Sequence, residues 1–202
     1  MSNIAFIPVR GGSKSIPMKN IKVLNGKPLV YWTAAAASGA GCIDKVIIAT
    51  DSEEIKKIVL GFELPKVEVY DRNPDNASDT ASTESVMLEY IKKTGLKQED
   101  NFFLIQATSP MLKSEHIDGM YNEFLTSGAD SMFTGVLEKQ FHWRRGKYNL
   151  NNNDEVLCVI PVNYDYRNRP RRQDFEGLIA ENGACYICLL YTSPSPRDVE
   201  ES

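Results

Sequence analysis

The sequence has no long apolar run and shows no targeting segment. No stretch of about 18 apolar residues, the length that crosses a bilayer, occurs in the chain. The N-terminus enters a short strand-like run at once and lacks the basic, apolar and small-residue regions of a signal peptide. We therefore expect a cytoplasmic protein that makes no contact with a membrane.

Positive charge is not in excess either. The 202 residues include 23 Lys and Arg against 27 Asp and Glu, which gives a net charge of −4. Nucleic-acid-binding domains concentrate basic charge, so this balance predicts no nucleic-acid partner. The apolar content of 42% and the charged content of 25% are ordinary for a globular protein. The length fits one full-size domain with a small appendage.

Histidine is scarce, and the common hydrolase motifs are absent. His116 and His142 have no acid or nucleophile at a recognisable spacing, so both are predicted to be structural. No Ser-His-Asp, H-E-x-x-H or paired-carboxylate arrangement is present, which argues against a hydrolase. Of the four cysteines only Cys185 and Cys188 form a C-x-x-C pair. Because there is no second pair, we predict reduced, buried thiols instead of a zinc or redox site.

Short apolar runs alternate with helical segments along most of the chain. Continuous apolar runs are typical of strands buried on both faces of a parallel sheet. The alternation therefore predicts a doubly wound α/β fold with a mostly parallel, Rossmann-like sheet. Strands are predicted at 4–9, 45–50, 67–70, 101–106 and 129–136, and helices at 28–38, 83–94 and from about 53 and 114. The helix from 114 is predicted to bury Ile117, Met120, Tyr121, Phe124 and Leu125.

The alternation breaks down between residues 137 and 175. We interpret this part as an inserted hairpin and loop that contacts a partner or covers the site. Residues 182–187 return to the main sheet, so the domain is expected to span 1–188. Residues 189–202 contain two prolines and no apolar period, and this tail is predicted to be disordered.

The first predicted strand runs directly into a cationic, glycine-containing loop. Gly11 and Gly12 let the backbone approach a ligand closely, and Arg10, Lys14 and Lys19 lie within the same loop. This combination favours a polyanion, most simply a triphosphate. The loop matches neither the P-loop nor the G-x-G-x-x-G dinucleotide motif. The alternative is a surface turn whose lysines are solvated.

Other polar groups also follow predicted strands. Asp51 with Ser52 and residues 106–109 come directly after strand-like runs, so the parallel sheet would bring them to one crevice. In the loop after the third strand, Arg72 and the hydroxyls near Thr83 could hold a base or ribose. The alternative for these hydroxyls is an N-cap of the following helix.

Four arginines lie within residues 167–172 of this acidic chain. Arginine suits a bidentate grip on a carboxylate or phosphate. The alternative is a solvated basic loop or an oligomer salt-bridge patch.

Several ordered segments resemble a known family. They are residues 9–21, Ala49-Thr50-Asp51, Asp79 with its hydroxyl neighbours, residues 105–110, Arg-Pro-Arg-Arg-Gln-Asp at 169–174, and residues 181–183. Together they resemble the acylneuraminate cytidylyltransferases, the CMP-sialic acid synthetases, over about residues 4–187. The resemblance implies transfer of CMP from CTP to the anomeric hydroxyl of a nine-carbon keto-acid sugar, with Mg²⁺ as cofactor and pyrophosphate as product. It also implies a homodimer, with residues 137–175 as the expected contact.

The resemblance also implies roles for individual residues. It marks Arg171 as an active-site residue, and we place Arg10 and Lys19 with it as catalytic residues that stabilise charge on the phosphates. Gln106 would meet the sugar, and Arg169 and Gln173 would join Arg171 in binding the sugar acid. The residues expected to bind the nucleotide are Lys14, Asn20, Arg72, Ser82 and Thr83.

One departure from the family pattern concerns the metal. The family carries a late aspartate-rich metal motif, and the resemblance here stops near residue 187, so the metal ligands are unknown. We interpret the tail from about 189 as foreign sequence. This leaves open a truncated, non-catalytic nucleotide-binding subunit, and legionaminic, pseudaminic or octulosonic acid as the sugar. A glycosyltransferase is disfavoured, because no Asp-x-Asp motif follows Gln106.

Overall fold

The computed structural model describes residues 1–12, 16–73, 82–149 and 155–189. The chain divides into two compact units, Met1–Thr134 with Gly183–Ser202, and Gly135–Asn182. The first unit contains the helices α1 to α4, at Leu29–Gly39, Glu53–Leu60, Thr83–Thr94 and Ser114–Ser127. Its first six strands, β1 to β6, are Asn3–Val9, Val23–Leu24, Lys27–Pro28, Lys45–Thr50, Val67–Asp71 and Asn101–Ile105. β7 (Ser131–Glu138) and β10 (Leu178–Leu189) contribute residues to both units.

A six-stranded sheet in the order β5-β4-β1-β6-β10-β7 forms the centre of the first unit. β1 pairs in parallel with β4 and with β6, and β4 pairs in parallel with β5. β10 enters beside β6 in the antiparallel direction, with Cys185 opposite Ile105. The predicted mostly parallel α/β fold is therefore confirmed. Since the carboxyl ends of β1, β4, β5 and β6 share one edge, the loops that follow them are neighbours.

The central strand β1 is buried on both faces of the sheet. Ala5, Ile7 and Val9 pack into the core formed with α1, α2 and α4. Ile4 and Phe6 point to the opposite face, where they pack in one cluster with residues of α3. Strand side chains alternate between faces, so a strand covered on both sides must be apolar throughout. This double burial explains the unbroken apolar run that follows the N-terminus.

Most predicted helices and strands begin and end close to the expected residues. The predictions for 45–50 and 83–94 match β4 and α3. Strand 129–136 begins later, at Ser131, because Gly128 ends α4 with a φ of 68° and the chain needs two residues to reach the sheet. The prediction that Leu125 is buried is wrong, since 55% of its surface is exposed. α4 turns Ile117, Met120 and Phe124 to the core instead.

The second unit contains an antiparallel hairpin of β8 (Trp143–Asn149) and β9 (Glu155–Pro161). Trp143 lies opposite Pro161, and Lys147 lies opposite Leu157. Phe141 packs nearby against Tyr164 and Phe175, with ring centroids 4.4 and 5.0 Å apart. A short 3₁₀ turn follows at Tyr166–Asn168.

The histidines and cysteines have mainly structural surroundings. His116 Nδ1 accepts a hydrogen bond from the Lys113 N–H at 3.3 Å at the start of α4. The expectation that His142 has no companion acid is wrong, because Glu138, four residues earlier at the end of β7, places Oε2 3.6 Å from its Nε2. All four cysteines are free thiols. Only Cys185 is fully buried, and burial raises the pKa of its thiol to about 12.

No helix within the described residues combines the length and the apolar character needed to cross a membrane.

Candidate functional site

The first unit contains a cavity of about 360 Å³ beside the carboxyl ends of β1, β5 and β6. Arg10, Arg72 and Gln106 each follow one of these strands directly. The expectation that such residues meet at one crevice agrees with this cavity, because all three line it. The complete lining is Pro8, Arg10, Lys19, Asn20, Arg72, Thr83, Val86, Gln106, Ala107 and Thr108.

The glycine loop after β1 is held by hydrogen bonds from two directions. The buried Asn20 donates from Nδ2 to the Arg10 carbonyl at 3.2 Å. Gly11 donates its N–H to Oδ1 of Asp51 at 3.1 Å. Asp51 was expected to face the crevice itself, but its described contact ties the loop to the end of β4. Arg10 and Gly11, the described start of the loop, are thus anchored before a ligand arrives.

Lys19 reaches the cavity from a short 3₁₀ turn, Lys19–Ile21. The turn is preceded by Met18 in the left-handed region at φ 51°. It closes through backbone bonds from Ile21 to Met18 and from Lys22 to Lys19, each 3.1 Å. Because the turn fixes the backbone at Lys19, the side chain extends from a defined Cα position at the cavity wall.

Arg72 is the least exposed cation of the cavity, with 9% of its surface accessible. Its backbone N–H donates to the Thr50 carbonyl at 3.0 Å, which continues the pairing of β5 with β4. Burial lowers the pKa of the guanidinium, while Asp51 and Glu89 act in the opposite direction. Arginine stays charged in proteins, so this is a desolvated positive charge at the cavity wall.

The start of α3 forms another part of the wall. Thr83 and Val86 line the cavity. Ser82 instead caps the helix, because its Oγ accepts a hydrogen bond from the Ser85 N–H at 3.1 Å. Ser82 is therefore the N-cap of α3, whereas Thr83 lines the cavity.

Gln106 is positioned by the last strand of the sheet. Its N–H donates to the Ala184 carbonyl at 3.1 Å. Gly183, at φ +69°, lies beside it, and a Cβ there would be 3.6 Å from the Gln106 amide nitrogen. The left-handed backbone angle favours glycine at this position, while the Gln106 amide is at ordinary contact distance from it.

The remaining predicted site residues lie elsewhere. Lys14 falls outside the described residues. Arg169, Arg171 and Gln173 belong to the second unit. There, the Arg169 guanidinium stacks 4.4 Å from the Phe141 ring centroid, and the Gln173 carbonyl accepts a hydrogen bond from Lys139 Nζ at 3.2 Å.

A second cavity, of about 460 Å³, lies within the second unit. Lys139, Arg169 and Arg172 supply its charges, and Phe141 and Pro170 supply apolar surface. Arg171, which the resemblance marked, is exposed, and its carbonyl accepts the N–H of Asp174 in a turn at 3.0 Å. This unit therefore offers a cationic, partly aromatic surface suited to an anion.

Some lining residues were not anticipated from the sequence. Pro8, Val86 and Ala107 are apolar and carry no motif, so nothing distinguished them from core residues. Thr108 belongs to the polar segment 106–109 that follows a strand, but the sequence indicates no role for it. Its Oγ1 is 3.5 Å from the Gln106 side-chain oxygen.

Acidic groups are sparse at the cavity. The described lining contains three cations and no carboxylate. Among the parts of the chain that the structure describes, no group of three or more His, Cys, Asp or Glu side chains could hold a metal ion. The described residues thus fit an anionic ligand and do not form a protein cage for a cation.

The match to known proteins agrees with this chemistry. Residues 4–155 match the family described as cytidylyltransferase. The chain belongs to the cytidylyltransferase family. Relatives in this family include an N-acylneuraminate cytidylyltransferase from Oncorhynchus mykiss, 36% identical over 183 residues that make up 91% of this chain and 40% of the relative. A pseudaminic acid cytidylyltransferase from Campylobacter jejuni is 31% identical over 189 residues, 93% of this chain and 78% of the relative.

The chain spans about 40% of the length of the N-acylneuraminate relatives from fish. Among solved structures, a CMP:2-keto-3-deoxy-manno-octonic acid synthetase complexed with CTP superposes with a TM-score of 0.66 at 16% identity. That match covers 98% of this chain and 81% of the other. A 4-diphosphocytidyl-2C-methyl-D-erythritol synthase gives a TM-score of 0.64 at 14% identity, covering 94% and 76% of the two chains. At these identities the likeness concerns the fold.

Proposed function

We propose that this cytidylyltransferase transfers CMP from CTP to the anomeric hydroxyl of a sialic acid and releases pyrophosphate. The observation that carries the proposal is the clustering of Arg10, Lys19 and Arg72 around one cavity without a described carboxylate in its lining. A triphosphate needs this excess of positive charge. The family of the chain supports nucleotidyl transfer as the reaction.

The acceptor is proposed from the relatives. Two kinds of relative are named for N-acylneuraminate and for pseudaminic acid. We therefore place a nine-carbon keto-acid sugar as the acceptor, with N-acetylneuraminic acid first and pseudaminic or legionaminic acid next. The eight-carbon octulosonic acid is a further alternative. Gln106 at the cavity is the proposed sugar contact. In the second unit, Arg169, Arg171 and Gln173 are the proposed contacts for the sugar carboxylate.

The reaction needs positioning and charge neutralisation more than covalent chemistry. The anomeric oxygen attacks the α-phosphorus and loses its proton to solvent water, while the bond between the α-phosphorus and the bridging oxygen breaks and pyrophosphate leaves. Charge builds up on the phosphate oxygens and on the departing group. Arg10 and Lys19 are proposed to stabilise that charge, and the hydrogen-bonded backbone at each of them limits reorganisation during the step.

Magnesium is proposed to arrive with the nucleotide. Mg²⁺ is commonly held by substrate phosphates and one or two carboxylates instead of a full protein cage. The described residues do not fit such a cage. When bound, the ion would supply further charge neutralisation on the phosphates, and the side-chain roles above are assigned independently of it.

A homodimer is proposed through the second unit. Leu157 and Val159 are 80% and 62% exposed on β9, and the β8–β9 pairing puts them on one face with Trp143. Exposed apolar patches of this kind commonly mark protein interfaces.

The proposal is tested by measuring pyrophosphate release with CTP, UTP, ATP and GTP, each with N-acetylneuraminic, pseudaminic, legionaminic and octulosonic acid. Release with CTP and a nine-carbon acid is expected. A preference for UTP or ATP would contradict the cytidylyl assignment. CTP binding without release, with every acid, would favour a non-catalytic nucleotide-binding subunit.

A further inference from the structure

We propose that Glu89 is a positioning residue of the nucleotide pocket, because it fixes the short segment that presents Arg72. The inference rests on the proposed function, since it concerns binding of the nucleoside triphosphate in the same cavity. Glu89 lies on α3, and it does not line the cavity. It acts through neighbouring groups and is not a catalytic residue.

One carboxylate oxygen of Glu89 accepts two hydrogen bonds. The Tyr70 hydroxyl donates to Oε1 at 2.7 Å, and the Asn73 backbone N–H donates to the same atom at 3.0 Å. Hydrogen bonds to a charged acceptor are about twice as strong as neutral ones. Glu89 therefore ties α3 to the end of β5 through two different groups.

These two donors lie on either side of Arg72 in the sequence. Tyr70 is still within β5, while Asn73 follows Arg72 directly. Between them, the Arg72 N–H bonds to the Thr50 carbonyl at 3.0 Å. The backbone is thus held before, at and after Arg72. Only the contacts before and after Arg72 depend on Glu89.

The same helix carries part of the cavity wall. Thr83 and Val86 line the cavity, and Glu89 is one turn further along α3 than Val86. A link from this helix to the Arg72 segment therefore sets the distance between two walls of one pocket. A change in this link would displace Arg72 relative to the other wall and weaken its contact with the nucleotide.

The charge of Glu89 also suits this position. Arg72 is nearly buried, and a desolvated cation needs compensating negative charge. Asp51 and Glu89 both support its charged form, whereas Arg10 opposes it. Asp51 and Glu89 belong to different elements of the fold, so together they compensate Arg72 without entering the cavity.

A purely structural role of Glu89 can be distinguished from the proposed positioning role. The Tyr70 ring packs edge-on against Tyr90 at 5.0 Å, and Lys93 Nζ lies 5.1 Å from the Tyr70 ring centroid. Those contacts do not involve Glu89. A merely structural Glu89 would change the folded fraction and leave the affinity of folded molecules for CTP unchanged.

The test is a double-mutant cycle on CTP affinity, measured by titration calorimetry on folded protein. Glu89→Ala is expected to weaken CTP binding about tenfold, in the range of a lost pair of hydrogen bonds. Arg72→Ala should weaken it at least as much. The double variant should bind no more weakly than Arg72→Ala alone, because Glu89 acts through Arg72. Glu123→Ala, an exposed mid-helix position on α4, is the matched control and should bind as wild type.

Two further variants separate hydrogen bonding from folding. Glu89→Gln keeps an acceptor oxygen but loses the charge, so its CTP affinity should lie between those of wild type and Glu89→Ala. Tyr70→Phe removes one donor and retains the ring, so it should give a smaller loss even if Glu89→Ala fails to fold. In steady-state assays the KM for CTP should rise while kcat changes little, as expected for a ground-state contact.

Additive losses in the double variant, or wild-type affinity of Glu89→Ala, would overturn the inference. Loss in Arg72→Ala without loss in Glu89→Ala would refute the role of Glu89 and leave the proposed pocket intact. Wild-type CTP affinity of Arg72→Ala would refute both.

Discussion

The Gly11 N–H donates a hydrogen bond across 3.1 Å to Oδ1 of Asp51, a residue 40 positions later in the sequence. The bond joins the glycine loop after β1 to the end of β4. Gly11 is also close to Ser52, the residue after Asp51. A Cβ on Gly11 would lie 3.1 Å from the Ser52 Cβ. At the neighbouring Gly12, no atom of the described residues lies within 4 Å of the position that a Cβ would take. The two glycines therefore have different physical roles.

This difference predicts opposite effects of alanine at the two positions. Gly11→Ala should lower the free energy of unfolding by about 1 kcal/mol, because Ser52 or the loop must move. It should also weaken CTP binding, since the loop is displaced. Gly12→Ala should be neutral or stabilise by ~0.5 kcal/mol through the unfolded chain. Urea denaturation of both variants checks the prediction, and equal destabilisation would contradict it.

Lys19 and Lys22 form a matched pair of lysines on one turn. Lys19 lines the cavity, whereas Lys22 is exposed and does not. Lys19→Ala should lower kcat about a hundredfold, the usual cost of losing one group that stabilises transition-state charge. Its stability should stay within about 0.5 kcal/mol of wild type. Lys22→Ala should leave the rate of pyrophosphate release unchanged, and a similar loss there would point to general electrostatics.

Asp118 on α4 holds the chain that leaves α1. Its carboxylate accepts the Cys42 N–H at 2.8 Å and the Gly41 N–H at 3.1 Å. Burial by itself raises the pKa of Asp118, but these hydrogen bonds outweigh it and hold the pKa below its ordinary value of 3.8.

A depressed folded-state pKa stabilises the protein above the unfolded pKa, and this stabilisation is lost as the pH falls through the folded value. Asp118→Ala should therefore cost about 2 kcal/mol at pH 7. The difference from wild type should shrink below about pH 4. Denaturant titrations at pH 7, 5 and 3 measure it, with Glu123→Ala as the control. A difference that is independent of pH would contradict the charged hydrogen bonds.

The exposed face of β9 gives a test of the proposed dimer. Leu157→Asp and Val159→Asp would bury unpaired charges at an interface, which costs several kcal/mol (roughly 3 or more). Both variants should become monomeric in light scattering coupled to size exclusion. Leu60→Asp, also at an exposed leucine (64%), should keep the wild-type mass. A wild-type monomer, or dimers of all variants, would exclude this face as the interface.

The fold was largely predictable because the core imposes simple patterns. β1 and β4 are buried on both faces, so their sequences are apolar throughout and were recognised with nearly correct ends. The end of α4 was harder. Leu125 continues the apolar spacing of Ile117 and Phe124, yet the helix rotates it to solvent. Apolar periodicity identifies the buried face of a helix. It does not show how wide that face is, because the width depends on which other elements pack against the helix.

The candidate site was predictable only in part. Arg10, Arg72 and Gln106 were found because each follows a strand, and parallel strands end at one edge. Ser82 and Thr83 were indistinguishable in sequence, and the structure separates a capping hydroxyl from a cavity residue. No sequence motif marks Glu89 as a residue of the site. Its proposed role depends on hydrogen bonds to residues up to 19 positions away in the sequence.

The sequence by itself determined the alternating α/β order, the cationic glycine loop and the set of residues that follow strands, since these depend on local pattern and on topology. The tertiary structure decided which of those residues share a cavity and what holds them there. The roles of Asp51 and Glu89 follow from the hydrogen bonds that they accept from backbone N–H groups. Any acidic residue in the same position could accept such bonds, so the residue type alone does not reveal the role. Backbone groups are identical along the chain, so only their positions in space distinguish them.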